Sequence, residues 1–393
     1  MEILCETSDL LVFSHMRWDF VFRRSQHLMS RFAIFRRVFF FEEPIYGMTK
    51  IPRYHIRETP ENVQVVTPYL PQGLSTIEQE CSLMRLVSEL VNDEGFQAFT
   101  LWYSTPTALA YTRHLTPMAV LYDFAEDLSK CAGAPMNYAD LETELLYRAD
   151  LVFTASSALH DVKKYFHHNI HHMPSSIDFE HFSCARTHLI DAEDQENIPH
   201  PRVGYFGVID ERLDLELLER MALQRRDWSF VLVGPIVNID PACLPRHFNI
   251  FYLGKKDYKD LPMYISGWDA TLLPFAVNEL TRFLNPTQTL EYLAAGKPVI
   301  STPIQDIVHH YGFKKTVAIG ETTKEFIGHI EKALQGACKA DWQKQVDSLL
   351  SYVSWDSTWA RMAELEWMLG GTRVMNNMHK YSPYESLQPN QMQ

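Results

Sequence analysis

Short apolar runs of four to six residues recur along the first half of the chain, separated by segments with a helical apolar period. Runs of this length are typical of strands buried on both faces of a sheet. Their alternation with helices predicts parallel βαβ units. The predicted strands are Leu10–Ser14, Val38–Phe41, Val63–Val66, Phe99–Tyr103, Ala119–Tyr122 and Leu151–Thr154, and the clearest helices are Thr76–Asn92 and Tyr138–Arg148.

The pattern starts again after RTHLIDAEDQENIPHP, a polar and acidic stretch that ends in proline. Such a composition predicts a linker at 186–201 between domains at 1–185 and 202–354. A last helical segment fills 355–371, and the aperiodic tail 372–393 is predicted to be weakly ordered. The second-half strands are Val203–Phe206, Phe230–Val233, Ile250–Leu253, Ala270–Pro274, Pro298–Thr302 and Val317–Ile319, and the helices are Leu215–Gln224, Lys324–Leu334, Asp341–Tyr352 and Trp355–Leu369.

Composition narrows the class of protein. A chain of 393 residues with 46% hydrophobic content can bury two cores. The net charge of −13 excludes a general nucleic-acid binder. Six cysteines without a C-x-x-C pair indicate reduced thiols. Neither a signal peptide nor an apolar run long enough for a membrane span is recognisable, so we expect a cytoplasmic protein.

One segment departs from the acidic average. Between Arg17 and Arg37 there are six arginines and one acid, Asp19, and the aromatic residues give a loose helical stripe. One interpretation is an amphipathic helix whose apolar side packs on the sheet. The other adds a basic outer face that meets an anionic lipid surface or a lipid-linked acceptor at the membrane. Both can hold together.

The helix with the clearest start signals follows the predicted strand Ala270–Pro274. Asn285 is suited to be its N-cap and Pro286 its first residue. A helix N-terminus offers free backbone N–H groups, here those of Thr287 and Gln288, to a phosphate. Glu291, one turn inward, is placed to accept hydrogen bonds from a ribose. The stretch therefore predicts a nucleoside diphosphate site.

Three strands of the second half end in glycine, at Gly207, Gly234 and Gly254. In open α/β sheets ligands bind at these strand ends, although single glycines are common in any βα turn. Arg212 follows the first of them and is a candidate for the diphosphate or, alternatively, for a surface ion pair. Lys256, beside Lys255, is a similar candidate, and lysine pairs are usually solvated.

In the first half, Asp123, Glu126 and Asp127 follow a buried strand, where substrate groups are expected. Asp127 is our candidate for proton transfer or a sugar hydroxyl, with N-capping as the alternative. His15, after the first strand, is a further candidate. The histidines of YFHHNIHHMPSS invite a metal interpretation, but no carboxylate pair accompanies them. The sequence also lacks Walker, G-x-G-x-x-G and D-x-D motifs, so we expect no metal and no cofactor.

Eight segments of the chain together resemble one known family. NPTQTLEYLAAGKPVIST resembles the C-terminal signature of retaining, family-4 type GT-B glycosyltransferases, in the branch found in bacterial polysaccharide gene clusters. The resemblance continues, in order, through FVFRRSQHL, YDFAEDLS, ELLYRADLVFTAS, MPSSIDFEHF, GYFGVIDERLD, FVLVGP and LPMYISGWDATLLPF. It implies an α/β fold of two Rossmann-like domains with parallel sheets facing a cleft. The acceptor would bind residues 1–185 and the nucleotide sugar 202–354, and 355–371 would cross back to the first domain.

The family motif maps onto this chain with gaps. The second glutamate of its E-x7-E pair falls on Glu291, whereas Phe283 stands where the first, sugar-contacting glutamate is usual. Glu279, from the same loop, is the candidate to replace it. Lysine is frequent in relatives where Gln288 stands, and the basic pair after the first strand of the second domain is reduced to Arg212.

The resulting hypothesis is a glycosyltransferase that moves a hexose-type sugar from a nucleoside diphosphate donor to a saccharide or lipid-linked acceptor, with retention. The alternatives are a nucleotide-sugar epimerase and a non-catalytic nucleotide-sugar binder with a degenerate site. The predicted roles are as follows: catalytic, Asp127, Arg212 and Lys256; donor-binding, Gly207, Arg212, Gly234, Pro286, Thr287, Gln288 and Glu291; acceptor or sugar contacts, His15, Arg24, Asp123 and Glu279.

Overall fold

The apolar runs form two β-sheets, one on each side of the predicted linker, in a computed structural model that describes residues 8–130, 134–187, 190–336 and 339–369. The predicted tail at 372–393 lies outside these residues. The strands are β1 (Asp9–Phe13), β2 (Val38–Phe41), β3 (Ile45–Gly47), β4 (Arg53–Glu58), β5 (Val63–Pro71), β6 (Phe99–Tyr103), β7 (Ala119–Phe124), β8 (Leu151–Thr154), β9 (Ile170–His172), β10 (Arg202–Phe206), β11 (Ser229–Val233), β12 (Ile250–Gly254), β13 (Ala270–Leu273), β14 (Val299–Ser301) and β15 (Val317–Ile319).

Helices connect most of these strands, as the alternating pattern predicts. The helices are α1 (Arg24–Phe32), α2 (Thr76–Asp93), α3 (Leu109–Thr112), α4 (Tyr138–Arg148), α5 (Ser157–Lys163), α6 (Phe179–Ser183), α7 (Leu215–Gln224), α8 (Leu261–Ser266), α9 (Gln288–Ala294), α10 (Gln305–Ile307), α11 (Thr323–Leu334), α12 (Lys339–Leu350) and α13 (Trp355–Leu369).

The first sheet has the order β3-β5-β2-β1-β6-β7-β8-β9 and is parallel except for β4, which pairs antiparallel with β5. Phe13 of β1 lies level with Phe41 of β2 and Tyr103 of β6. The hairpin of β4 and β5 was not predicted. In β4 the apolar residues Tyr54 and Ile56 alternate with exposed arginine and histidine, so the segment is not a continuous apolar run.

The second sheet is wholly parallel, with the order β12-β11-β10-β13-β14-β15. Four of its strands, β10, β11, β13 and β14, are fully buried, which explains why unbroken apolar runs locate them to within one or two residues. Two interdomain hydrogen bonds illustrate the contact between the sheets. Asp306 of α10 accepts from the backbone nitrogens of Ser157 and Ala158 at the start of α5 (2.9 and 3.2 Å).

The first sheet is covered on both faces because alternate strand residues point to opposite sides. Leu11 and Phe13 belong to a core that α2 and α4 complete. Leu10 and Val12 belong to another core, completed by α1 and by the last helix, α13. Helix α13 therefore packs on the first domain although it follows the second in sequence.

Two arginines of the basic segment, one in α1 and one just after it, are engaged by this packing. Arg31 Nε lies 2.6 Å from Asp356 of α13, and Arg36 forms two hydrogen bonds with Glu366. The basic outer face is thus neutralised by acids of α13, so this helix gives no support to the lipid-surface interpretation. No helix within the described ranges has the length and apolar character that a bilayer crossing requires.

The pair of Arg36 and Glu366 provides a test of this packing. Both side chains are largely buried, with 9% and 12% exposure, and the Nη–Oε distances are 2.7 and 2.6 Å. Glu366→Gln leaves the guanidinium without a carboxylate, and we expect a loss of about 1–3 kcal/mol in unfolding free energy. Urea denaturation measures this. Glu364→Gln, which removes an exposed pair with Arg361, is the control and should cost about 0.5 kcal/mol or less; equal losses would contradict the assignment.

Candidate functional site

The two sheets meet through the carboxyl ends of their strands. The loops after β1 and β7 contribute residues 23–24 and 125–126, and the second domain contributes residues 205–212 and 284–288. Together they enclose a cavity of about 80 Å³. Carboxyl ends of parallel strands are where α/β sheets bind ligands, so this interdomain cavity is the candidate site.

The turn before α9 forms one wall of this cavity. The helix begins at Gln288, not at Asn285, so the predicted N-cap is wrong. The side-chain amide of Asn285 instead donates to the carbonyl of Ala155 in the first domain (2.7 Å). Pro286 and Thr287 open a tight turn, and both line the cavity with Gln288.

Two glycines allow the strands of the second sheet to approach this turn. Gly207 and Gly234 have φ values of +144° and +151°, a backbone conformation that residues with a side chain rarely adopt. A Cβ atom on Gly234 would lie 1.8 Å from the carbonyl oxygen of Gly207, and one on Gly207 would lie 2.6 Å from Gln288 Nε2. At Gly254, by contrast, a side chain would meet open space.

A carboxylate between two arginines joins the domains across the cavity. Arg212 is oriented by Asp210, which accepts from its Nε and Nη2, while Nη1 lies 3.5 Å from Glu126 of the first domain. Arg23 Nη1 lies 3.7 Å from the other oxygen of Glu126. Burial alone would raise the pKa of Glu126, but Arg212 and Arg23 outweigh it and lower that pKa.

Arg23 and Glu126 were not among the residues predicted for the site. Glu126 stands in the acidic group after β7, but Asp127 was preferred to it. Arg23 stands beside Arg24 in the basic segment, and both residues line the cavity. In both stretches the sequence prediction therefore named the residue next to the one that was missed.

The neighbouring predicted residues are buried around this cluster. Arg24 donates to both oxygens of Asp123 (2.8–3.0 Å) and to the carbonyl of Met173 (2.8 Å). Asp123 is only 1% exposed, so its carboxylate holds Arg24 in place and does not itself face the cavity. His15 lies near Glu126, its Nδ1 has no partner among the described residues, and burial lowers its pKa.

Glu291 on α9 carries a carboxyl oxygen without a hydrogen-bond partner in the described part of the chain. Its side chain is 8% exposed, and no described residue hydrogen-bonds its buried Oε2. Burial raises the pKa of Glu291 to about 8, against a smaller lowering effect of Arg23. A buried, unpaired carboxyl is costly in a folded protein and is a frequent mark of a binding site.

Three other predicted residues lie apart from the cavity. Asp127 accepts from the backbone nitrogen of Ser129 (2.9 Å) within its own turn. Lys256 Nζ contacts Asp194 in the linker (2.5 Å), so it faces away from the cleft. Glu279 is 74% exposed and its nearest cation is Arg282 (3.5 Å). The structure does not bring these three together with Arg212.

Phe283 and the histidines also have defined surroundings. Phe283, on the second domain, packs against the core of the first sheet, so it is part of the domain contact. His167 bonds the carbonyl of Ala149, and His171 bonds Asn169. In the parts of the chain that the structure describes, no three histidine, cysteine or acidic side chains are grouped as metal ligands.

Two α/β domains whose parallel sheets face each other across a cleft define the GT-B fold, and this chain has it. Solved structures agree. Sucrose-phosphate synthase from Thermosynechococcus elongatus matches with a TM-score of 0.70 at 15% identity over 93% of this chain and 99% of that one. HepE of Anabaena in complex with UDP and glucose has a TM-score of 0.67 at 12% identity, over 91% and 99%. Such identities establish the fold alone.

One curated relative is similar in sequence. It is TuaH of Bacillus subtilis (strain 168), whose name assigns it provisionally as a teichuronic acid biosynthesis glycosyltransferase. The two sequences are 30% identical over 168 residues, which is 41% of this chain. The match spans 42% of the length of TuaH. No family model matches the sequence.

The raised pKa of Glu291 makes a prediction for stability. Between its ordinary value of 4.5 and about 8, the folded protein keeps a proton that the unfolded chain has released. The unfolding free energy should therefore fall as pH rises through this window, by up to about 1.4 kcal/mol per pH unit, and level off above it. Glu291→Gln should remove this dependence in chemical denaturation across the window. Glu279→Gln, at an exposed site, should preserve it; a parallel slope in Glu291→Gln would refute the assignment.

Proposed function

We propose that the protein is a glycosyltransferase that moves a hexose-type sugar from a nucleoside diphosphate sugar to a saccharide or lipid-linked acceptor, with retention and without a metal. The observation that carries the proposal is an interdomain cavity lined by arginines from both domains. The unpaired buried carboxyl of Glu291 lies one turn further along α9, the helix that begins at the cavity-lining residue Gln288. The GT-B fold and the similarity to TuaH support the same class.

The donor would occupy the second-domain wall. The turn Pro286–Gln288 lines the cavity, which suits a diphosphate. Gly207 lies against Gln288 of this turn and Gly234 against Gly207, so we assign both glycines to the same wall. The carboxyl of Glu291 would accept hydrogen bonds from the ribose hydroxyls, and these would satisfy its free oxygen. A ligand that donates hydrogen bonds there relieves the cost of burying the group.

The chemical step requires charge to be stabilised on the departing diphosphate. Arg212 and Arg23 are oriented toward the cavity and would provide this stabilisation without reorganisation in the transition state. Their present partner, Glu126, would have to yield to the phosphate oxygens. The acceptor hydroxyl would pass its proton to the departing phosphate, whose charge increases as the glycosidic bond breaks.

Donor entry would also require the domains to separate. The cavity of about 80 Å³ is far below the roughly 300 Å³ of the smallest usual ligand sites. The contacts to be broken at this edge of the cleft include the polar ones of Asn285 to Ala155 and Arg212 to Glu126, and the packing of Phe283 on the first-domain core. Opening and closing around a substrate is a common property of two-domain enzymes.

A second candidate is a nucleotide-sugar binding protein without transferase activity. Phe283 favours it, because an aromatic ring packed on the first domain stands where the related enzymes place a sugar-contacting glutamate. Nucleotide binding with no transfer to any acceptor would select this candidate. Nucleotide release that depends on an acceptor would select the transferase, and anomer-resolved analysis of its product would check retention.

The donor site can be tested by thermal shift with UDP, GDP, ADP and dTDP. A nucleotide at 100 times its dissociation constant should add about 2.7 kcal/mol of stability. Glu291→Ala should weaken binding of the best nucleotide by about fivefold to tenfold, because it removes the acceptor of the ribose hydrogen bonds. Glu193→Ala, at an exposed linker position, is the control. Unchanged affinity in Glu291→Ala would sink the ribose assignment.

Glu126 gives a test with the opposite sign. Its carboxylate competes with the diphosphate for Arg23 and Arg212, so Glu126→Gln should tighten nucleoside diphosphate binding. We expect about 1 kcal/mol, or roughly fivefold, by titration calorimetry. Glu193→Gln should leave the affinity unchanged. Weaker binding in Glu126→Gln would mean that the carboxylate holds the arginines in place and does not compete.

A further inference from the structure

A second and larger cavity lies beside the candidate site, and nothing in the preceding sections uses it. Its volume is about 410 Å³, within the range of roughly 300–1,000 Å³ that small-molecule sites occupy. We call it the lateral pocket, and define it by Arg17, Phe20, Arg57, Tyr69 and Lys255.

The lateral pocket and the interdomain cavity share one loop. The segment after β1 places Arg17 and Phe20 in the lateral pocket and Arg23 in the cavity, only a few residues further on. The hairpin of β4 and β5 forms the outer wall through Arg57 and Tyr69. A molecule in the lateral pocket would therefore lie next to a donor in the cavity.

The second domain completes the lateral pocket. Lys255 follows β12 and its Nζ donates to the backbone carbonyl of Asp19 in the first domain (2.7 Å). It is the neighbour of Lys256, which faces the linker instead. The pocket thus exists as a whole only when the domains are in contact.

The charges of the lateral pocket are only partly compensated. Arg17 donates to the carbonyl of Pro44 (3.1 Å) and Lys255 to that of Asp19. Neither has an acidic side chain within ion-pair distance among the described residues. Arg57 pairs with the Asp19 carboxylate (2.6 Å), but both side chains are exposed, at 43% and 75%, where such pairs contribute little.

The remaining acid of the pocket is turned inward. Both oxygens of Glu42 are used, one by the backbone N–H of Trp18 (2.9 Å) and one by the hydroxyl of Thr67 (2.6 Å). Arg17 and Lys255 therefore have no ion-pair partner among the described residues, and Glu43 interacts with Arg17 electrostatically from beyond ion-pair distance. Beside them, Phe20 and Tyr69 offer apolar surface of the kind that small-molecule sites use.

We propose that the lateral pocket binds the acidic group of an anionic saccharide acceptor. This rests on the proposed function, since the acceptor is then the second substrate of the same cleft. Guanidinium and ammonium groups would bind the carboxylate of a uronic acid or the phosphate of a sugar phosphate. The aromatic side chains would contact the ring, and the sugar hydroxyl would point toward the interdomain cavity.

The test is a binding measurement with glucose, glucuronate and glucose 6-phosphate, in the presence of the best nucleoside diphosphate. At least one acidic sugar should bind about tenfold or more tightly than glucose, with an affinity that falls as salt is raised. A preference for glucuronate would identify a uronic acid acceptor, and a preference for glucose 6-phosphate would identify a phosphate. Equal binding of all three sugars would overturn the proposal.

Variants separate the pocket from the donor site. Lys255→Met and Arg17→Gln should each reduce acidic-sugar affinity by about tenfold or more, while Lys255→Arg should retain most of it. Lys259→Met, at an exposed position nearby, is the control. Nucleotide affinity should be unchanged in all four. The assignment would be refuted if the double variant Arg17→Gln/Lys255→Met still bound acidic sugars with the original affinity. It would also be refuted if only the control variant Lys259→Met lost that binding.

Two further outcomes distinguish this inference from the proposed function. If acidic sugars bind as expected but no nucleotide does, the pocket stands and the transferase proposal fails. If nucleotides bind and sugars are transferred to neutral acceptors alone, the transferase stands and the anionic acceptor is wrong. Inorganic phosphate and acetate serve as probes without a ring; if either binds as tightly as its sugar counterpart, the saccharide part of the proposal is refuted.

Discussion

The carboxylate of Glu126 between Arg212 and Arg23 is the interaction on which the site depends. It joins a cation of one domain to a cation of the other through a single anion, at 3.5 and 3.7 Å. Two guanidinium groups brought this close would repel each other without it. The arrangement therefore needs an anion, and a diphosphate can take the place of the carboxylate without changing the sign of the charge.

Parallel strand topology explains why these groups converge. Every strand of the second sheet, and all but one of the first, runs in the same direction within its sheet, so the loops at the carboxyl ends share one edge. The two carboxyl edges face each other across the cavity. The backbone is brought close where Gly207 and Gly234 avoid a Cβ clash. Buried support comes from pairs that are complete in themselves, such as Arg24 with Asp123, which fix the loops without competing for a ligand.

Much of this could be predicted from the sequence. Continuous apolar runs located the doubly buried strands, whereas the half-exposed strand β4 gave no such run. Local signals failed where tertiary contacts decide: Asn285 resembles a helix cap but bonds Ala155 across the cleft. In two stretches it is the neighbour of a predicted catalytic residue that lines a cavity: Glu126 beside Asp127, and Lys255 beside Lys256. Adjacent residues point in different directions, and a single sequence does not show which one faces a cavity.

The interdomain cavity can admit the proposed donor only when the domains are apart, whereas the lateral pocket is complete only when they are together. This difference constrains the order of binding. The interdomain cavity is too small for a nucleotide sugar while Asn285 contacts Ala155, so the proposed donor would have to enter when the domains are apart. The lateral pocket acquires Lys255 only when they are together. An anionic acceptor would then bind most strongly after closure over the donor, because the last cation arrives with the second domain. Such an order would keep the reactive diphosphate sugar from water until the acceptor is in place.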